Sequence, residues 1–197
     1  MSLASRIAAV LAGATIGVTV APAAATPFSL DRGHTFVYWE VLHMGTSTSR
    51  GRFDRLDGSA RFDPDRRLLE VQVTVEMASV STGFAPFDNV LRGGRLLGVA
   101  EHPNGRFVSR ETVWDASGRA PAEVRGEITL RGVTRPLTLT ARRWNCGNNP
   151  IFGREVCGGD FEATISRGDF GMGFMSNFAD DRVRLVIQVE AVRGDGN

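Results

Sequence analysis

Between residues 69 and 77 the chain alternates strictly. Leu69, Val71, Val73, Val75 and Met77 are apolar, and Glu70, Gln72, Thr74 and Glu76 between them are polar. Successive side chains of a strand point to opposite faces, so this segment predicts a strand with one face in a core and the other in water. The pattern returns near the end, where Val183, Leu185, Ile187 and Val189 interleave with Arg182, Arg184, Gln188 and Glu190. Further strands are expected at 35–43, 51–62, 106–114, 123–130, 137–144 and 161–167. Turn-forming groups such as Asp63-Pro64-Asp65, Ala116-Ser117-Gly118 and Arg131-Gly132-Val133 separate several of them. About eight strands with short connections predict an all-β chain folded as an antiparallel barrel or sandwich. One segment breaks the alternation: 88–99 carries Val90, Leu91, Leu96, Leu97 and Val99. It predicts a single short helix with Asp88 as N-cap, weakened by Gly93 and Gly94.

The first 25 residues read differently. Arg6 is followed by an uncharged, mostly apolar stretch from Ile7 to Ala21, and then by Ala23-Ala24-Ala25. That order is a secretory signal peptide cleaved after Ala25, which makes 26–197 one barrel domain and has it exported. Cleavage removes Arg6 and brings basic and acidic residues into balance, against a formal +1 for the whole chain. A balanced chain offers no electrostatic footprint for nucleic acid. Two cysteines, Cys146 and Cys157, enclose Gly147, Asn148, Asn149, Pro150 and Gly153. In an exported chain this predicts a disulfide across a hairpin; close C-x-x-C spacing, which a redox role favours, is absent.

Reactive chemistry finds little support. His34 and His43 differ by nine positions, so one regular strand cannot aim both at one ion, and His102 stands before Pro103 in a turn. No metal site, nucleophile elbow or phosphate loop is expected. Asp180-Asp181 reads as a pair of solvated turn residues. Two apolar clusters point to binding instead: Met172, Phe174, Met175 and Phe178, and, around the helix, Phe84, Phe87, Leu91, Leu96 and Leu97. Met and Phe make an adaptable apolar lining. An eight-stranded barrel either fills its interior with side chains or holds one small ligand, and both readings stay open at this point.

The residues resemble the YceI-like family of periplasmic, lipocalin-like proteins. The resemblance runs from Asp31-Arg-Gly-His34-Thr through His43, Gly45 and Gly51-Arg-Phe53 to Ala78-Ser79-Val80-Ser81-Thr82. It continues at Asp88-Asn-Val-Leu91-Arg92, His102-Pro103 and Arg106-Phe107-Val-Ser109, and is densest from Gly126 to Leu137. It ends with Ser166-Arg167-Gly-Asp169-Phe170-Gly171-Met and Asp181-Arg-Val183. The resemblance implies an extended antiparallel lipocalin-like β-barrel with a small helix. It also implies a non-enzymatic carrier or store for a polyisoprenoid or isoprenoid-quinone-type lipid, with transient membrane contact and no cofactor other than that ligand. Val90 and Gly93 stand where the family usually carries a His and a Ser, so any head-group contact made by that His is absent here. The expected apolar lining is Phe36, Val73, Val75, Phe84, Leu91, Leu96, Phe107, Phe170, Met172, Phe174 and Leu185. His34, Arg92 and Arg167 are the expected head-group contacts, with a salt bridge to Asp169 or Asp31 as the structural reading of Arg167. The competing function is an accessory protein with a filled barrel, docking on a membrane or stress-response partner.

Overall fold

The computed structural model describes residues 25–151 and 153–194; the expected signal peptide lies, apart from Ala25, outside the described residues. The strands, in chain order, are β1 (Thr26–Leu30), β2 (Phe36–His43), β3 (Ser47–Phe53), β4 (Leu56–Asp63), β5 (Leu68–Glu76), β6 (Val80–Ser81), β7 (Asn104–Trp114), β8 (Pro121–Leu130), β9 (Val133–Asn149), β10 (Arg154–Ser166) and β11 (Ala179–Arg193). One helix, α1 (Ala85–Arg92), joins β6 to β7. All pairings are antiparallel, and β1 meets β11 to close the ring.

These strands make eight legs, because three of the legs are broken. Along β11, Ala191–Arg193 pair with β1 and Val183–Gln188 with β2, so β1 and β2 are one interrupted leg. In the same way β3 and β4 form the second leg, and β5 and β6 the third. The order is therefore a simple meander closed on itself, a closed eight-stranded antiparallel barrel with one helix. The expected strand 51–62 is corrected to two, β3 and β4, with Asp54 and Arg55 at the break; Arg55 N–H donates to Ser79 Oγ there at 3.1 Å.

Closing a barrel requires places where backbones pass close together. Gly51 lies directly opposite Trp39, and a β-carbon on it would stand 2.5 Å from the indole ring. On β10, a β-carbon on Gly159 would stand 2.1 Å from the Arg143 carbonyl oxygen, next to the point where Arg142 bulges out of register. Cys146 and Cys157 are cross-strand partners on β9 and β10 and form the expected disulfide. Closing a loop of this length stabilises the fold by about 3 kcal/mol.

The helix is corrected too. It spans Ala85–Arg92 rather than 88–99, with Phe84 at the N-cap and a proline, Pro86, in its first turn. Asp88 is not the cap: it is buried inside the helix, where its Oδ1 accepts both the N–H and the hydroxyl of Thr82 at 2.7 Å. Gly93 and Gly94 end the helix, and Leu96, Leu97 and Val99 lie in the turns beyond it. Arg92 fastens α1 to the chain before it, donating to the carbonyls of Ala78 and Val80 at 2.9 and 2.8 Å.

The outer wall carries a chain of ion pairs across five strands, running Arg142–Glu162–Arg184–Glu40–Arg50. Hydrogen bonds from Arg50 and Arg184 hold the Glu40 carboxyl below the usual carboxylate range, and Arg184 and Arg142 do the same for Glu162. Below the unfolded pKa of about 4.3 the unfolded chain takes up protons that these folded carboxylates still resist. Their contribution is therefore complete above that pH and is lost as pH falls through the lower folded values. The expected result is a melting temperature that declines on acidification below about pH 4.3, with a shallower decline for Glu162→Gln; equal slopes would refute a role for the pairs.

Candidate functional site: an apolar barrel interior

Inside the barrel is a cavity of about 250 Å³. Alternate positions of every leg line it: Val71, Val73 and Val75 from β5, Val37, Trp39 and Val41 from β2, and Val183, Leu185, Ile187 and Val189 from β11 are examples. An aromatic group floors one end. Phe62 lies 6.5 Å from Phe28, 6.1 Å from Trp114 and 5.3 Å from Trp144, and Trp144 lies 6.2 Å from Phe161. At the other end the lining comes from Leu91 of α1, from Leu96 and Leu97 just after it, and from Met172.

The polar groups in this wall are already engaged. Thr35 Oγ1 donates to the Glu190 carbonyl at 3.0 Å, and Arg106 reaches outward to Gln72 at 2.9 Å. Arg167 is buried with 6 % of its surface exposed. Its guanidinium donates to the carbonyls of Asp180, Phe174 and Ala179 at 2.8–2.9 Å and also to that of Met172. One cation thus gathers four backbone oxygens and gives shape to 167–180, a connection with little regular structure. Among the described residues no buried side-chain nitrogen or oxygen lacks a partner. The interior therefore presents hydrocarbon, with no charged group free to meet a ligand.

Of the residues expected to line a cavity, Val73, Val75, Leu91, Leu96, Phe107, Met172 and Leu185 do so. Four do not. Phe36 is on the outer face of β2, with the Arg52 guanidinium 4.7 Å from its ring centroid. Phe84 is 63 % exposed at the start of α1. Phe174 sits under Arg95, whose guanidinium is 3.7 Å from its ring centroid. Phe170 is buried in the surrounding core but does not reach the cavity.

The three expected head-group residues all make contacts within the protein. His34 is exposed on the outer wall and hydrogen-bonds Asp31 at 2.7 Å, which raises its pKa. Glu190 completes a cluster there, with all three ligand-type atoms within 4.8 Å of one another. Arg92 is spent on holding α1. Arg167 borders the cavity, but its donors face carbonyls; it bridges to neither Asp169 nor Asp31, and Asp31 is paired with His34 instead.

Sequence reasoning missed Trp39, Phe53, Leu56, Phe62, Val124, Ile128, Leu137, Phe161 and Ile165, all of which line the cavity. Their signal is parity. Along most strands the apolar side chains of the lining are an even number of positions apart, as at 71, 73 and 75 on β5 and at 183, 185, 187 and 189 on β11. Odd steps mark irregularities: Leu30 to Thr35, Phe53 to Leu56 and Met77 to Val80 fall at broken legs, and Leu139 to Trp144 spans the Arg142 bulge on β9.

The comparisons agree with this architecture. A UPF0312 protein of Pseudomonas paraeruginosa is 34% identical over 194 residues, covering 97% of this chain and 99% of that one. The crystal structure of the Campylobacter jejuni YceI protein superposes with a TM-score of 0.64 at 22% identity, covering 76% of this chain and 87% of that one. A polyisoprenoid binding domain from Saccharophagus degradans, implicated in plant cell wall breakdown, superposes with a TM-score of 0.62 at 17% identity, covering 85% and 98%. The YceI-like domain model matches residues 28–191, and with that match spanning nearly the whole barrel, the chain belongs to the YceI-like family.

Proposed function

We propose that this barrel is a non-catalytic lipid-binding protein that holds one polyisoprenoid or isoprenoid-quinone-type chain, for transport or storage in the periplasm. The observation that carries the reading is the interior cavity, walled by apolar side chains whose few polar neighbours are already satisfied. Each CH₂ taken out of water contributes about 0.8 kcal/mol, so a few isoprene units supply affinity with no charged contact. The structural likeness to a polyisoprenoid binding domain supports the choice of ligand class. The secretory pattern of the first 25 residues and the disulfide support an oxidising compartment.

The test is uptake by delipidated protein, read by native mass spectrometry after incubation with a prenyl alcohol or a prenyl quinone. One bound chain per barrel is the expected result. No uptake at any chain length would favour the accessory-protein reading.

A further inference from the structure

We propose that the lid end of the barrel is a docking surface for a zwitterionic lipid bilayer. Among the described residues, seven large apolar side chains are exposed. Six of them, Leu42, Met44, Phe84, Val90, Met175 and Phe178, belong to three segments at the end where α1 lies. Hydrogen bonds and a ring contact join these segments. Met44 N–H donates to the Phe178 carbonyl at 2.8 Å, Phe178 N–H donates to Met175 at 2.9 Å, and Arg95, just beyond α1, covers the ring of Phe174. The seventh, Ile151, is at the opposite end, on the β9–β10 hairpin.

Three features favour a bilayer over another protein. The rim is continuous with the cavity, because Leu91, Leu96, Leu97 and Met172 lie between the exposed groups and the interior, whereas the far end is floored by aromatic rings. The exposed groups stand on separate turns and a helix rather than lining one groove, an arrangement that suits a fluid surface. The charges fit as well. Arg92, Arg131 and Arg167 are committed to backbone carbonyls and Asp88 to Thr82. Those four keep their charges, and with Arg95, Arg182, Glu101, Asp169, Asp180 and Asp181 the lid end carries five charges of each sign. A mixed, nearly neutral rim complements a zwitterionic interface and gives no reason to prefer an anionic one.

This inference goes beyond the carrier reading, and its test contains no isoprenoid, so the two can fail separately. The chain without residues 1–25 is floated with phosphatidylcholine vesicles. It should rise with them, and Met44→Asp combined with Phe84→Asp should lower partitioning at least about tenfold. Ile151→Asp should leave partitioning unchanged, and raising salt to about 0.5 M should change it by less than about twofold. Val90→Asp with Phe178→Asp serves as a second rim pair, and near-ultraviolet circular dichroism checks that each variant is folded. The proposal is overturned if the parent protein stays at the bottom or if Ile151→Asp matches the rim pairs. Salt-sensitive binding to anionic vesicles alone would also overturn it, as would a dimer dissolved by the rim pairs with no vesicle binding.

Discussion

A Val73→Trp protein is expected to fold with its disulfide intact and to hold an isoprenoid about fiftyfold more weakly than the parent. The estimate follows from displacing about three CH₂ groups of ligand at about 0.8 kcal/mol each. Val73 lies on the cavity wall, opposite Gly58 on β4 and Phe107 on β7. Because the added ring enters existing space, unfolding by urea should show a change of less than about 1 kcal/mol, whereas overpacking a filled core costs about 1–3 kcal/mol. The two readouts separate the two functional readings. Weaker binding with unchanged stability supports an open carrier. A destabilised protein that never took up lipid would mean a filled barrel.

Arg167→Met should have the largest effect on stability, a loss of about 3–5 kcal/mol, because the substitution strands buried carbonyls that had a charged donor. For a domain of this size that corresponds to a fall in melting temperature on the order of 10 °C. Arg167→Lys should recover little, since one ammonium cannot match a planar fork serving Met172, Phe174, Ala179 and Asp180 in different directions. Proteolysis should then cut within 171–178 before the rest of the barrel. A loss below about 1 kcal/mol would show that the carbonyls find water instead.

The barrel was legible wherever one face of a strand meets water. β5 and β11 alternate because their outer faces carry Glu, Gln, Thr and Arg. Around β2 the signal fails, since Phe36 and Tyr38 on the outside are as apolar as Val37 and Trp39 on the inside, and only tertiary structure decides which set turns inward. The helix was mislocated because Asp88 resembles a cap by residue type, while the proline in the first turn was the better marker of where it begins. β1 and the two-residue β6 were missed because segments so short carry too little pattern. The cavity lining was legible in part, as residue type finds apolar positions but not their side of the wall. The sequence offers Arg167 a head group or an aspartate as partner, and its actual partners were illegible because they are backbone oxygens that every residue possesses.

The pairing of β1 with β11 also sets the order in which the molecule can be made. Phe28 pairs with Arg193, and Gly194 N–H donates to the Pro27 carbonyl at 2.8 Å, so the outer edge of β1, whose other edge pairs with β4, waits for the last strand. A chain emerging from its N-terminus can zip hairpin upon hairpin from β2 to β10, but it remains an open, curling sheet with its apolar face wet. Both lateral edges stay unpaired until β11 arrives. Contacts so distant in sequence place such a chain among slow, millisecond-to-second folders. In that interval it is exposed to edge-to-edge aggregation. A chain that ends before β11 should therefore remain an open, aggregating sheet instead of a closed ring.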